Sequence, residues 1–388
     1  MRPINFGKWP TYSLACQRDV LRLLRAGGSL TAYRSNPDFP YGPRRNSWAW
    51  KAERLAERLF KINHAVICNS GTMALQAALW AVDLPRGSEI ITTPFTFSAT
   101  PAAILHAGHQ PVFADVCPLN YVLTHEAAQA SHPLATVPVD LFGRISGVRP
   151  TACPMVEDAC QAVGAQTSRG EWGGTLGTLG VYSFNGQKNV PAGEAGMAVT
   201  DYGDFAQRLR QFVSHGENWG HPDVGMNGRV NEVTACIAYH GLLAVKGRNA
   251  HRRRLALELW RRLKDESRVR VLTHLEIAGH ALYVYPLILV GGVDRATFCR
   301  RLTQMGVQTS EGYIRPHLGH YPAFKAAVRG PLPVVEELSA STLVLLLQVR
   351  PPATVGHMRY IAAAIKTALD AGKSARRGRL GRVDASAF

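Results

Sequence analysis

The chain has 388 residues, 46% hydrophobic and 19% charged. That is the balance of an ordinary globular protein, not a disordered or fibrous one, and the length suggests two domains. Lys and Arg total 44 against 28 Asp and Glu, a net +16, which points to anionic partners: nucleic acid, an acidic membrane face or phosphate-bearing small molecules.

From Met1 to Pro10 there is no apolar signal core, and no run approaches the roughly 18 apolar residues of a membrane span. A cytoplasmic protein is expected. Between Asn63 and Thr200 short apolar runs alternate with helical patterns. The runs are His64–Cys68, Glu89–Thr92, Pro111–Ala114, Ala135–Pro138, Pro154–Val156, Val181–Ser183 and Met197–Thr200. The intervening helices include Thr72–Val82 and Ala99–His106. Strands spaced by helices predict an α/β layer structure with a mainly parallel sheet.

After Asn231 a long amphipathic helix is expected to run towards Lys264, with Arg248, Arg252, Arg253 and Arg254 on a solvated face. Strands such as Ala281–Leu289 and further helices then suggest a smaller α+β domain. The expected division is 1–245 for a large domain with its N-terminal segment, 246–372 for the small domain, and 373–388 for a basic, disordered tail. Seven scattered cysteines without a CxxC pair read as buried, reduced thiols, and no metal is expected.

Three stretches carry chemistry. In Cys68-Asn69-Ser70-Gly71-Thr72 an apolar strand runs straight into a helix. Its free N–H groups and hydroxyls suit a phosphate, although a plain helix cap reads the same way. Glu157-Asp158 is an acidic pair at the end of an apolar strand, where carboxylates face the ligand crevice of open α/β sheets or simply cap a turn. Lys188 lies in a Gly-rich polar loop between two strands. Most lysines are surface residues, but from this loop an amine could reach a crevice and attack carbonyls. A phosphate cup, an acidic group and a lysine in that order are what pyridoxal phosphate (PLP) demands.

The motifs are similar to those of the DegT/StrS family of fold-type-I PLP enzymes, which build amino sugars and aminocyclitols. The resemblance rests on Asn69–Leu75, Pro94–Thr100, Val139-Asp140 with Gly143, Glu157-Asp158 with Gln161, Ser183-Phe184 with Lys188-Asn189, Gly193-Glu194, and Met226-Asn227 with Arg229. It spans roughly residues 40 to 245, loosening in the C-terminal third around Pro316–Pro322.

The resemblance implies a fold-type-I large domain with a smaller C-terminal one, and an aminotransferase in which Lys188 carries the cofactor and shuttles the proton. Asp158 would pair with the ring nitrogen, Gln161 with the ring hydroxyl, and Phe97 would stack on the ring. Gly71, Thr72 and Ser183 would hold the phosphate, and Asn227 would reach the partner subunit's phosphate in a homodimer with shared sites. Ala195 stands where the family usually has glycine, and His240 where glutamine is common. Some relatives replace the lysine by histidine and become dehydratases, so Lys188 favours transamination.

The expected reaction moves an amino group from glutamate or glutamine onto a keto-sugar nucleotide. A keto-cyclitol or related unphosphorylated ring is the alternative acceptor. A nucleic-acid-binding protein, prompted only by the charge, lacks any supporting motif.

Overall fold

The computed structural model describes residues 5–31, 33, 42–129, 133–216 and 224–377, the last seven by backbone only. The expected tail from 373 falls mostly outside them: the final helix runs to Arg377, and 378–388 lie beyond the described residues.

Strands β1 (His64–Cys68), β2 (Glu89–Thr92), β3 (Gln110–Phe113), β4 (Ala135–Thr136), β5 (Val156–Asp158), β6 (Leu179–Ser183) and β7 (Gly196–Thr200) form one layer. Its order is β1-β7-β6-β5, continued through parallel bridges Thr136–Met155 and Val139–Asp158 into β4-β2-β3. All pairings are parallel except those of β7, which runs against β1 and β6. The strands are almost wholly buried, so they read as continuous apolar runs, as a sheet covered on both faces requires.

Helices α1 (Leu14–Ala26), α2 (Trp48–Phe60), α3 (Gly71–Val82), α4 (Ala99–His106), α5 (His125–Gln129), α6 (Gly203–Val213) and α7 (Glu232–Leu263) accompany this layer. α2 and α7 pack on one face, while α3, α4 and α6 pack on the other. The apolar stripe of α2 is Ala49, Ala52, Ala56 and Phe60, at helical spacing. Its N-terminus is closed by Ser47 and by the Glu232 carboxylate at the start of α7, which accepts from the N–H groups of Trp48 (3.0 Å) and Ala49 (3.3 Å). An acid there also meets the positive end of the helix dipole.

A second sheet, β10-β11-β9-β8, is antiparallel throughout: β8 (Val269–Arg270), β9 (Tyr285–Leu289), β10 (Thr309–Glu311) and β11 (Leu343–Leu346). Helices α8 (His274–Gly279), α9 (Arg295–Gln304), α10 (Pro333–Glu337) and α11 (Val355–Arg377) belong to this half. Leu255, Leu259 and Leu263 of α7 share its core, so one 32-residue helix serves both halves.

The arginine-rich face of α7 differs from expectation. Arg252 is fully buried and donates to the carbonyls of Leu282 (2.7 Å) and Tyr283 (3.0 Å). The chain entering β9 crosses this face, and its unpaired carbonyls draw the guanidinium inwards. Of the three consecutive arginines only Arg254 is exposed.

One buried ion pair ties α6 to α2. Arg210 grips Glu53 with both Nη atoms (3.1 and 3.0 Å) and also reaches Ala65 O, while Glu53 accepts from Ile67 N–H (3.0 Å). Removing one partner of such a pair strands the other. Arg210→Ala should therefore cost about 3–5 kcal/mol in chemical denaturation, whereas an exposed control such as Arg18→Ala should cost about 0–1.

Candidate active site

At the carboxyl end of the large sheet the strands and their following helices enclose a cavity of about 420 Å³. Its walls come from the β1–α3 turn, the loop before α4, the end of β5, the segment after β6, and Tyr283 and Tyr313 from the second half of the chain. Parallel strands put all these turns on one edge, which is where such sheets bind ligands.

The β1–α3 turn supplies one end. Ser70 Oγ caps the helix by accepting from Met73 N–H (3.1 Å). The N–H groups of Gly71 and Thr72 keep no acceptor among the described residues, so the positive helix end opens on the cavity. Gly71 has to be glycine: a Cβ would lie 2.8 Å from Ser183 Cβ and 3.2 Å from Cys160 Sγ. β7 passes equally close, since a Cβ at Gly196 would collide with Ser70 O.

Strand alternation settles the acidic pair. Asp158 lines the cavity with only 4% of its surface exposed. Thr100 Oγ1 donates to its Oδ2 (2.7 Å) and Cys160 N–H to its Oδ1 (3.2 Å). Because the Thr100 proton is spent on Asp158, Thr96 Oγ1 must donate to Thr100 Oγ1 (2.9 Å). Glu157 points to the other face, buried against Asp140. Glu157 Oε2 accepts from Leu176 N–H (2.8 Å) and Asp140 Oδ1 from Ser146 N–H (2.8 Å). The remaining oxygens, Glu157 Oε1 and Asp140 Oδ2, have no separate donor. A proton shared between them satisfies both. Burial, reinforced by the neighbouring Glu157 charge, holds the Asp140 carboxyl well above the usual carboxylate range.

Lys188 Nζ reaches the cavity 4.1 Å above the Tyr283 ring, a cation–π contact. Its loop is pinned on both sides. Asn185 Nδ2 donates to Glu194 Oε1 (2.7 Å), and Asn189 Nδ2 to Asn249 Oδ1 and Ala281 O (both 2.7 Å). Gln161 accepts from Phe142 N–H (3.0 Å) and donates one Nε2 hydrogen to Tyr313 OH (2.9 Å), leaving one hydrogen for a ligand. Cys160, between Asp158 and Lys188, stays a thiol: burial raises its pKa far above the usual value and Asp158 raises it further, against the opposing pull of Lys188.

Of the residues singled out in the sequence, Gly71, Thr72, Phe97, Asp158, Gln161, Ser183 and Lys188 all line this cavity. Phe97 stands at its mouth, 55% exposed. Asn227 does not line it. Its backbone holds Asn69, whose Nδ2 donates to Asn227 O (3.0 Å), and its side chain lies on the exposed surface. Tyr283 and Tyr313 were not anticipated, because they come from the part of the chain with the loosest motifs. Thr96 and Thr100 sat inside a recognised motif, but only the fold shows that they serve Asp158.

The model of the DegT/DnrJ/EryC1/StrS aminotransferase family matches residues 49–366. The chain belongs to that family. It is a PLP-dependent aminotransferase of fold type I. The "Pleiotropic regulatory protein" of Geobacillus stearothermophilus is 31% identical over 299 residues, 74% of this chain and 80% of that one. The UDP-2-acetamido-2-deoxy-3-oxo-D-glucuronate aminotransferase of Pseudomonas aeruginosa is 29% identical over 326 residues, 81% and 88% of the two chains. The crystal structure of DesI in the presence of its TDP-sugar product shares the fold, with a TM-score of 0.82 at 24% identity, covering 98% of this chain and 96% of that one.

The Asp140–Glu157 pair makes this aminotransferase's stability pH-dependent. A carboxyl with a raised folded-state pKa stabilises the fold at low pH and loses that contribution as pH climbs past its unfolded value, about 4. The Tm should fall as the pH rises from about 5 towards 8, and Asp140→Asn should flatten that fall. An unchanged slope in Asp140→Asn would show that no proton is shared there.

Proposed function

We propose that this enzyme transfers an amino group from glutamate or glutamine to a keto-sugar carried on a nucleotide. The observation that supports it most is the cavity, where Lys188 Nζ, the Asp158 carboxylate and the open N-terminus of α3 meet. The family's acceptor chemistry gives the rest: the relative from Pseudomonas aeruginosa is named for a UDP-linked 3-oxo sugar. A net charge of +16 suits a diphosphate-bearing acceptor.

The residues fit PLP. Gly71 lets the start of α3 pack against Ser183 and Cys160, and its free N–H, that of Thr72, and the Thr72 and Ser183 side chains lie along the same cavity wall, where they would hold the phosphate. Asp158, fixed by Thr100, would hold a proton on the ring nitrogen. The free Gln161 hydrogen would meet the ring hydroxyl, and Phe97 would cover the ring face. Bound there, the cofactor supplies an electron-withdrawing ring that stabilises negative charge on the substrate carbon. Lys188 would hold the cofactor through its amine and then move the proton at that carbon.

We also assign the working unit as a homodimer with Asn227 reaching the partner's phosphate site. Leu14 (83% exposed) and Leu21 on α1, Leu243 on α7, and Met226 beside Asn227 leave apolar surface exposed. The 1–245 and 246–372 division is kept as a proposal, its boundary falling within α7. Seven unpaired cysteines suit a reducing cytoplasm, and no helix among the described residues is long and apolar enough to cross a membrane.

Borohydride should fix the cofactor to Lys188 by peptide mapping, and a different lysine would overturn that assignment. Asp158→Asn should bind cofactor yet turn over at least about 10²-fold more slowly. For the acceptor, enzyme loaded with glutamate or glutamine is mixed with candidate keto compounds while cofactor absorbance is followed. Nucleotide-linked keto-sugars should discharge it, whereas discharge by free keto-cyclitols alone would replace this reading. Mixing Lys188→Ala with Asn227→Asp subunits should restore activity through sound sites in mixed dimers. No recovery despite demonstrated subunit exchange would remove Asn227 from the shared site.

A further inference from the structure

Behind the Lys188 loop three guanidinium groups surround one indole. The Cζ atoms of Arg252, Arg248 and Arg350 lie 5.2, 5.5 and 5.9 Å from the Trp9 ring centroid. They come from α7 and from the turn after β11, remote in sequence from Trp9. Like charges at this spacing repel, and partial burial removes water that would screen them. Burial depresses the pKa of all three, and for Arg252 the charges of Arg350 and Arg248 push the same way, down to about 9. The tryptophan face offsets some of this repulsion, but a cation–π contact is worth only about 0.5–2 kcal/mol.

No carboxylate among the described residues answers them. Among the described residues none of the three arginines forms an ion pair, and each spends donors on neutral oxygens instead. Arg248 reaches the carbonyls of Thr11 (3.2 Å) and Asn189 (3.5 Å), Arg252 those of Leu282 and Tyr283, and Arg350 the Gln187 Oε1 (3.1 Å). Donors remain over. Arg252, with no exposed surface, keeps Nε and Nη2 without a partner, and the buried indole N–H of Trp9 has none. Buried donors are rarely left so, and each one costs free energy until something accepts from it.

A cavity of about 250 Å³ opens beside this cluster, separate from the cofactor cavity. Trp9 and Arg350 line it, together with the amides of Asn5, Gln308 and Gln348, and no acidic residue does. We propose that this cavity is a second anion site, taking a small oxyanion, phosphate or carboxylate, between Arg350 and Trp9. The guanidinium fork matches two oxygens of such a group, and the amides can meet the others. Arg252 and Arg248 stand behind as fixed positive charge. Because Arg350 also holds Gln187, the bound anion touches the residue before Lys188 through one intermediate side chain. The site is independent of which acceptor the enzyme uses.

The test uses holoenzyme reduced with borohydride, so that the cofactor's own phosphate site stays filled. Inorganic phosphate and succinate are titrated by calorimetry and by Tm, against sodium chloride at matched ionic strength. Saturable binding of one phosphate or one succinate per chain, with a rising Tm, is expected, and which of the two binds identifies the oxyanion class. Arg350→Gln and Gln308→Ala, which remove a guanidinium and an amide that line the cavity, should each weaken binding about tenfold or more. A wild-type response no larger than that to chloride overturns the proposal. So does binding that survives unchanged in Gln308→Ala and Arg350→Gln. Should Arg350→Gln fail to fold, Gln308→Ala decides alone.

Discussion

Asp158 carries a carboxylate into a cavity where only 4% of its surface stays exposed, and a charge so placed must be met by donors or a cation. The structure meets it with donors first. Thr100 gives its hydroxyl proton, Cys160 its backbone N–H, and Thr96 backs Thr100 from behind. One oxygen line thus runs from α4 into β5, and the loop carrying Phe97 is held between Thr96 and Thr100. The face of the cavity opposite α3 is set by that line, so the acid, the aromatic cover and the helix end keep fixed mutual positions. On the proposed reading, a cationic ring nitrogen would complete the set.

How much of this was legible in the sequence depends on range. Strands β1 and β2 and helix α4 have the ends expected from their apolar runs, since buried strands and short helices announce themselves locally. The Ser70–Thr72 turn, the acid and the lysine were legible for the same reason: each is a few consecutive residues at a strand end. The choice between Glu157 and Asp158 was not legible from the pattern alone, because both strand faces here are buried and periodicity assigns neither to the ligand. Only the family resemblance favoured Asp158. Tyr283 and Tyr313 were out of reach, being some 95 and 125 residues beyond Lys188 and brought back by the second sheet.

Arg252 shows the opposite failure. On a helix written Arg-Arg-Arg, charge predicts solvent, and two of the three do retain contact with it. Arg252 turns inward because the chain entering β9 carries carbonyls without strand partners, a need no helical pattern can signal. The same inward turn creates the cluster around Trp9. A buried cation that answers a backbone requirement leaves its own charge unanswered, and the empty donors on its far side follow from that.

α7 has one more consequence, for anyone recombining this enzyme with its relatives. At 1.5 Å per residue its 32 residues form a rod of about 48 Å. The rod starts by capping α2, passes Asn249 behind the lysine loop and ends inside the core of the second sheet. A chimera spliced at a conventional domain border would cut this rod and join two halves whose helical phase must agree within a fraction of a turn. Crossover points beyond Leu263 keep the rod from one parent, and they leave Arg248 and Asn249 with the lysine loop they hold.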